Sequence, residues 1–402
     1  MSAFTLSRRV SQAGFSPNAA ASQRAKQLKA QGRDILDLTI GEPDFETPDH
    51  IKAAAVQALA NGDTRYTPTL GTAALRAAIS AKLARENQLN FPPAQIAVGN
   101  GAKQVIFNAF AATLDPGHEV IIPAPFYPSF PEMVSLNDGK PVIVPTRAED
   151  GFKLTRASLE AAITPRTRWL VINSPSNPSG AVYGRDDLLM LAEVLRAHPQ
   201  VLLLLDEVYE HILFTDTPPP HFLHVAQDLV ERVLVVNGVS KTYAMTGWRV
   251  GYGAGPAALI QAMGVIQVQS TSGASSISQA AAVTALGGDQ SFVKERTAAY
   301  RARRNILVKG LTAIEGIELQ PPEGGLFVFS SCKGLLGKST PDGKKIATDE
   351  DFVEYLLESA GVAGIAGSGY GLPGHFRLSI AASTESVSVA SARIADAVAR
   401  LS

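Results

Sequence analysis

At 402 residues the chain is long enough for two compact units, or for one large unit with a satellite. Its 36 lysines and arginines stand against 37 acidic residues, and a net charge of -1 leaves no field to hold nucleic acid or an anionic membrane. The single cysteine, Cys332, excludes an internal disulfide and a cysteine-rich metal site, and it fits a reducing cytoplasm.

The first 33 residues hold no acid and several Arg, Ala and Ser, a composition shared with organelle transit peptides. Leu6-Ser7-Arg8-Arg9-Val10 and the stretch from Asn18 to Gly32 read instead as an arm leading into a helix of the mature protein, with Gly32 as its C-terminal cap. Ile35 to Ile40 follows as a short strand entering the turn-rich Gly41-Glu42-Pro43-Asp44-Phe45. Pro48 opens a helix in about its first turn, with Ile51, Ala54, Ala55 and Leu59 on one face. A polar, proline-broken loop from Arg65 to Gly71 precedes a helix from Ala73 to Glu86.

From residue 95 the pattern changes to apolar runs separated by helical periodicity. The runs are Gln95 to Val98, Glu119 to Ile122, Pro141 to Val144, Trp169 to Ile172, Val201 to Leu205, Arg232 to Val236 and Val250 to Gly253. Lys103 to Leu114 and Asp186 to Ala197 are helical. This alternation predicts an α/β fold with a largely parallel sheet covered on both faces, whose ligands sit at the carboxyl ends of the strands. No apolar run approaches the length of a membrane span. After about residue 290 come a long helix (Phe292 to Leu311) and candidate strands at 317–319, 326–329 and 376–380. Helices from Asp349 to Ser359 and Glu385 to Leu401 complete a smaller α+β unit, and Ser331 to Ala347 reads as a mobile surface loop. The expected division is an arm and part of the small unit in residues 1–45, a large cofactor-binding unit in 46–290 and a small unit in 291–402.

The motifs that carry chemistry all fall at strand ends. Gly99-Asn100-Gly101-Ala102-Lys103-Gln104 opens a helix with small residues, which exposes free N–H groups and the positive dipole end to a phosphate; α/β proteins contain many such turns. Phe126-Tyr127, between prolines, offers a ring to a flat ligand or simply packs. In Asn173-Ser174-Pro175-Ser176-Asn177-Pro178-Ser179-Gly180 the prolines and glycine fix a turn that presents the Asn177 amide, although Asn-Pro is also a frequent turn dipeptide. Asp206 follows the apolar run Leu202 to Leu205. A carboxylate there holds a pyridine nitrogen protonated or caps the next helix, and Tyr209 lies within reach of the same ring. Val233 to Val236 delivers Gly238, Ser240 and Lys241; desolvation at a strand end lowers an amine's pKa and makes it nucleophilic toward carbonyls. Arg249, flanked by Gly247 and Gly251, adds a fixed cation where backbone can approach an anion. An imine-forming amine beside an anion seat is what pyridoxal phosphate requires, while either residue alone reads equally as a turn lysine or a strand-edge arginine.

Taken in this order, the motifs resemble the class I aminotransferases of pyridoxal phosphate fold type I, and specifically the bacterial aspartate aminotransferase branch with Ala244-Met245-Thr246-Gly247-Trp248-Arg249. The resemblance runs from Leu6-Ser7-Arg8-Arg9-Val10 to Arg377-Leu378-Ser379. It implies a large domain with a mostly parallel seven-stranded sheet, a smaller α+β domain, pyridoxal 5'-phosphate as cofactor and no metal. It also implies that Lys241 binds the cofactor covalently and shuttles the substrate proton. Asp206 pairs with the pyridinium, and Asn177 and Tyr209 bond the ring oxygen. Tyr127 stacks on the ring where relatives often have tryptophan. Ala102 and Lys103, at the helix start behind Gly101, hold the phosphate with Ser240 and Arg249. Arg377 clamps the substrate α-carboxylate beside the backbone of Gly41, with Asn177 close by. Tyr66 matches a tyrosine that reaches the neighbouring subunit's phosphate, which implies a homodimer.

Three positions depart from the pattern. Gly238 stands where many relatives have serine, removing one phosphate contact. Ala366 replaces a proline, loosening the loop at Gly367-Ser368. Gly14 falls where some relatives place a lysine toward a dicarboxylate, which weakens the case for prephenate. The expected reaction moves the amino group of an L-amino acid to a 2-oxo acid, with aspartate and 2-oxoglutarate first. A broad aromatic or methionine aminotransferase and a pyridoxal phosphate β-lyase are the rivals. The aminotransferase-like half of a transcription regulator is disfavoured by the short arm and the net charge.

Overall fold

The computed structural model describes residues 5–14 and 17–402. Its strands are β1 (Leu36–Asp37), β2 (Ile96–Gly99), β3 (Glu119–Ala124), β4 (Lys140–Pro145), β5 (Thr167–Asn173), β6 (Leu202–Asp206), β7 (Val233–Gly238), β8 (Gly251–Ala254), β9 (Glu318–Leu319), β10 (Phe327–Ser331), β11 (Val362–Ala363), β12 (Ile365–Ala366) and β13 (His375–Ser379). The helices are α1 (Arg8–Ser11), α2 (Pro17–Ala30), α3 (Asp49–Ala60), α4 (Ala73–Asn87), α5 (Ala102–Thr113), α6 (Ser129–Leu136), α7 (Arg156–Ala162), α8 (Arg185–Ala197), α9 (Phe222–Val225), α10 (Ala257–Ser270), α11 (Ser276–Gly287), α12 (Ser291–Thr312), α13 (Asp349–Ala360) and α14 (Thr384–Val398).

The seven apolar runs form one sheet in the order β2-β8-β7-β6-β5-β3-β4. Neighbours from β7 through β6, β5 and β3 to β4 are parallel, while β8 runs antiparallel between β7 and β2. A strand covered on both faces needs apolar residues at every position. Accordingly Leu203, Leu205, Val233 and Val235 enter one buried cluster, and Leu204, Leu234 and Val236 enter the cluster on the opposite face. The β7–β8 connection holds only a 3-10 turn, Thr246–Trp248, and no crossover helix, so β8 returns antiparallel.

The second sheet, β12-β13-β10-β9, is antiparallel, and β1 pairs in parallel with β11, Leu36 opposite Val362. The strand expected at 35–40 is shorter than its apolar pattern. The Asp37 carboxylate accepts the Thr39 N–H at 3.0 Å, turning the backbone out of the ladder. At the end of α2, Gly32 has φ +85° and the next N–H returns to Leu28 O at 3.1 Å, the expected cap. Pro48 stands just ahead of α3 as its N-cap rather than in its first turn. The stretch 331–347 is not a free loop. Leu335 and Ile346 are buried, Ser339 pairs with Lys345, and Ser339 exchanges backbone hydrogen bonds with Ser402 at 2.8 and 3.0 Å. Among the described residues no helix is long and apolar enough to cross a membrane.

Candidate active site

Side chains from the ends of β5, β6 and β7, from the start of α5 and from β13 converge on one cleft of about 680 Å³. Its lining includes Gly41, Ala102, Lys103, Tyr127, Asn177, Asp206, Tyr209, Ser240, Lys241, Arg249 and Arg377.

Asp206 ends β6, 6 % exposed, with the Val208 N–H 3.4 Å from its Oδ1. Burial, with Glu207 adding repulsion, raises its carboxyl to about 7 against weak relief from that N–H and Lys241. A buried acid so placed is stabilised by a cationic ring nitrogen. Lys241 lies in the turn after β7 and donates to Gly41 O at 2.7 Å. Burial lowers its amine to about 8 despite the opposing pull of Glu42, and Arg377 and Arg249 push in the same direction as burial. Tyr209 is buried, its ring centroid 6.0 Å from Lys241 Nζ, and burial drives its phenol well above the ordinary range.

Arg377 is 1 % exposed on β13, and desolvation lowers its pKa. One terminal nitrogen donates to Asn177 Oδ1 at 3.0 Å, and the other donates to Thr39 O. Its guanidinium carbon sits 3.9 Å from the centroid of the Phe327 ring. The register explains the contact, because Ser379 faces Phe327 across β10 and β13 while Arg377 faces Phe329, which puts Arg377 and Phe327 on one face. Among the described residues Arg377 Nε has no hydrogen-bond partner. A buried fork held by neutral acceptors alone can take a carboxylate. The Asn177 N–H is fixed by Asn173 Oδ1 at 2.7 Å, and the Asn173 amide in turn donates to Asp206 O at 3.0 Å.

At the far end of the cleft the backbone is shaped as an anion cradle. Gly101 caps α5 with φ +84°, and a Cβ there would lie 2.4 Å from an Arg249 terminal nitrogen. A Cβ on Gly251 would lie 2.1 Å from the Ala102 nitrogen, so β8 is pressed against the helix start. Arg249 takes the left-handed region at φ +56° and is anchored to Thr246 O at 2.7 Å. Lys103 Nζ stands 5.4 Å from the Tyr127 ring centroid. Free N–H groups, a helix dipole and an arginine at one end, with a buried carboxylate, an amine and a phenol at the other, fit a phosphorylated pyridine aldehyde.

Tyr66 does not enter this cleft and is 98 % exposed. Gly14 donates its N–H to Glu132 Oε2 at 2.9 Å on α6 and is not a lining residue. At Gly238 an added Cβ would meet Val250 O at 2.9 Å, so a side chain there would have to widen the β7–β8 pairing slightly. Ala366 is held in β12 opposite Phe376, and Ser368 N–H bonds Asp349 Oδ2 at 2.7 Å, which ties down the loop that the missing proline was expected to loosen. Sequence reading missed Ser22, Thr39, Phe327 and Glu42 in the lining, although Phe327 was placed on a strand. Only strand alternation combined with the β10–β13 register would have singled out Phe327.

The family model of class I and II aminotransferases matches residues 33–394. An aspartate aminotransferase of Rhizobium meliloti is 50 % identical over 99 % of this chain and 100 % of its own. An aspartate/prephenate aminotransferase of Cereibacter sphaeroides is 49 % identical over 93 % of this chain and 94 % of its own. The crystal structure of the Rhizobium meliloti aspartate aminotransferase superposes with a TM-score of 0.96 at 50 % identity, covering 99 % of this chain and 100 % of that one. The Thermus thermophilus aspartate aminotransferase with maleate gives 0.91 at 41 % identity, covering 98 % and 100 %. With a family model matched over most of its length and its fold shared at this level, the chain belongs to the class I and II aminotransferases and is a pyridoxal 5'-phosphate-dependent enzyme.

Proposed function

We propose that this aminotransferase moves the amino group of aspartate or glutamate to a 2-oxo acid, 2-oxoglutarate first, in a cytoplasmic homodimer. The observation that carries the reading is the convergence of Lys241, Asp206 and Arg377 on one cleft in a chain half identical to proteins named aspartate aminotransferase.

In this reading the N–H groups of Ala102 and Lys103, the Ser240 hydroxyl and Arg249 would hold the phosphate of pyridoxal 5'-phosphate, with Gly101 keeping the helix start open. Asp206 would pair with the ring nitrogen, Asn177 and Tyr209 with the ring oxygen, and Tyr127 would stack on the ring. Bound there, the cofactor supplies an electrophilic carbon for amines and a ring that accepts the electron pair left when the α-proton is removed. Arg377 takes the substrate α-carboxylate through its terminal nitrogens, beside the Gly41 backbone, and so fixes which Cα–H faces Lys241. With the cofactor bound, the Lys241 amine would be the base placed to take the substrate α-proton and to hold it. An amine lowered to about 8 suits that role near neutral pH. The buried Asp206 carboxylate, ionised opposite a cationic ring nitrogen, holds the charge that makes the proton removable.

The homodimer is supported by Tyr66, wholly exposed here, and by Val265 and Val268, exposed apolar residues on α10. The parallel β1–β11 pairing supports grouping residues 1–45 with 291–402 as the small domain against a large domain at 46–290. Prephenate as acceptor is a second reading, favoured by the name of the Cereibacter sphaeroides relative and disfavoured by Gly14 in place of a lysine.

The test is the absorption spectrum of the loaded enzyme, titrated without acceptor with aspartate, glutamate, phenylalanine, methionine and alanine in turn. Aspartate and glutamate are expected to convert the cofactor to its aminated form at the lowest concentrations. Stronger conversion by phenylalanine or methionine would replace the substrate assignment with the broad-range reading. Pyruvate and ammonia released from a β-substituted amino acid would move the enzyme to the β-lyases. Lys241→Ala is expected to keep the fold and lose on the order of 10⁴ in turnover.

A further inference from the structure

Behind the active cleft lies a second, larger cavity of about 1200 Å³, between the segment that follows β6 and helix α12. The two cavities share one stretch of chain as a wall. Asp206, Val208 and Tyr209 line the active cleft, whereas Glu207, Glu210 and His211 line the second cavity.

Two of the carboxylates on that wall are already matched. Glu210 accepts from Lys82, Asn87 and Asn237, and Glu86 faces Lys82, Arg85 and His211. Glu86, Glu210 and His211 cluster closely enough to suggest a metal site, but the Lys82 ammonium is the cation they already hold.

Glu207 differs. Its side chain is 16 % exposed and has no hydrogen bond among the described residues. The ring of His221, 6 % exposed, stands beside it; its Nδ1 accepts the Leu223 N–H at 3.0 Å, which leaves Nε2 as the ring's donor. That Nε2 is 3.1 Å from Glu207 Oε1 but out of line for a hydrogen bond, and it is unpartnered. The Thr215 hydroxyl on the same cavity is also buried and unpartnered. A largely buried carboxylate whose one close donor is out of line gains from a cation that bonds it in line. The rest of the lining includes the apolar surfaces of Leu188, Pro219 and Phe222, and the volume is ample for a small molecule.

We propose that this cavity is a second ligand site, for a small organic cation of the amidinium or guanidinium class carried on an apolar body. The cationic head meets Glu207, the Thr215 hydroxyl lies on the same wall, and the body lies against the apolar surfaces. A planar fork of N–H donors matches a carboxylate along two bonds, which a single ammonium does not.

The probe is benzamidine, which has the planar cation and a flat apolar ring, with neutral benzamide as its control. Calorimetric titration of the pyridoxal phosphate-loaded enzyme is expected to give a dissociation constant of about 1 mM or tighter for benzamidine. Benzamide is expected to bind at least tenfold more weakly. Glu207→Gln should weaken benzamidine at least tenfold. Ala298→Trp, at an exposed lining position on α12, should do the same by filling the space, and it serves if the first variant misfolds. Arg377→Lys, which changes the other cavity and keeps its charge, should leave binding unchanged. Binding equal for benzamide, unaffected by both cavity variants, or lost in Arg377→Lys would overturn the proposal, as would no binding to the unmodified enzyme.

Discussion

Asp206 and Lys241 are displaced from their ordinary pKa values in opposite directions by the same cause, burial at the end of a parallel sheet. For Asp206 the folded pKa is raised from 3.8 to about 7, so the folded cofactor-free protein holds a proton that the unfolded chain has released. Its stability therefore falls as pH rises from about 4 to 7, and above 7 the whole penalty is present. Asp206→Asn, neutral and of the same shape, is expected to stabilise the cofactor-free protein at pH 8 by roughly 2–4 kcal/mol, less at pH 5, while removing turnover. Denaturant unfolding at the two pH values measures this, and equal gains at both would contradict it. Lys241, lowered to about 8, should capture pyridoxal phosphate at a rate that rises with pH and levels off above about 8 rather than near 10. Arg377→Lys cannot reach both Asn177 and Thr39, and it is expected to raise the Michaelis constant for aspartate about 10²-fold with a smaller change in turnover. At this scale the sequence was informative wherever a polar residue ended an apolar run, as with Asp206 and Lys241. It was silent on Phe327, whose importance depends on which residue of a distant strand lies opposite.

Among the elements, the strands of the large sheet were legible because runs such as Leu202–Leu205 are apolar at every position, and α8 because its polar and apolar faces separate. Helices α10 and α11 are apolar nearly all round and carry no such face. The close contact between β8 and α5 was equally hidden, since a glycine on a strand does not say which backbone approaches it. Gly251→Ala is expected to push the α5 start away from β8 and to weaken pyridoxal phosphate at least tenfold with helix content unchanged. Equilibrium dialysis of the cofactor decides this, and unaltered affinity would show that the helix start tolerates the shift. The segment after β6 shows a related limit. In the turn after β6 a spacing of three puts Asp206 and Tyr209 on one cavity, but nothing in the sequence showed that Glu207 and Glu210 face another.

For the molecule as a whole, the exposed Val265 and Val268 mark the face that the proposed dimer would cover. Val265→Asp combined with Val268→Asp is expected to give monomers by light scattering and to reduce activity at least tenfold, because Tyr66 would no longer reach a partner's cleft. A fully active monomer would remove Tyr66 from the site. The pairing of β1 with β11 has a further consequence, in the order in which the protein is made. Leu36 leaves the ribosome long before Val362, by an interval on the order of tens of seconds at ordinary synthesis rates. Throughout that time Ala25, Leu28 and Ile35 lack Leu357 and Ala363, the residues that bury them in the finished chain. The large sheet, complete by residue 254, can form meanwhile, so the nascent protein carries its N-terminal segment undocked, with these three apolar residues uncovered, beside a folded body. The cleft, which needs Arg377 from β13, closes only when the last strand arrives.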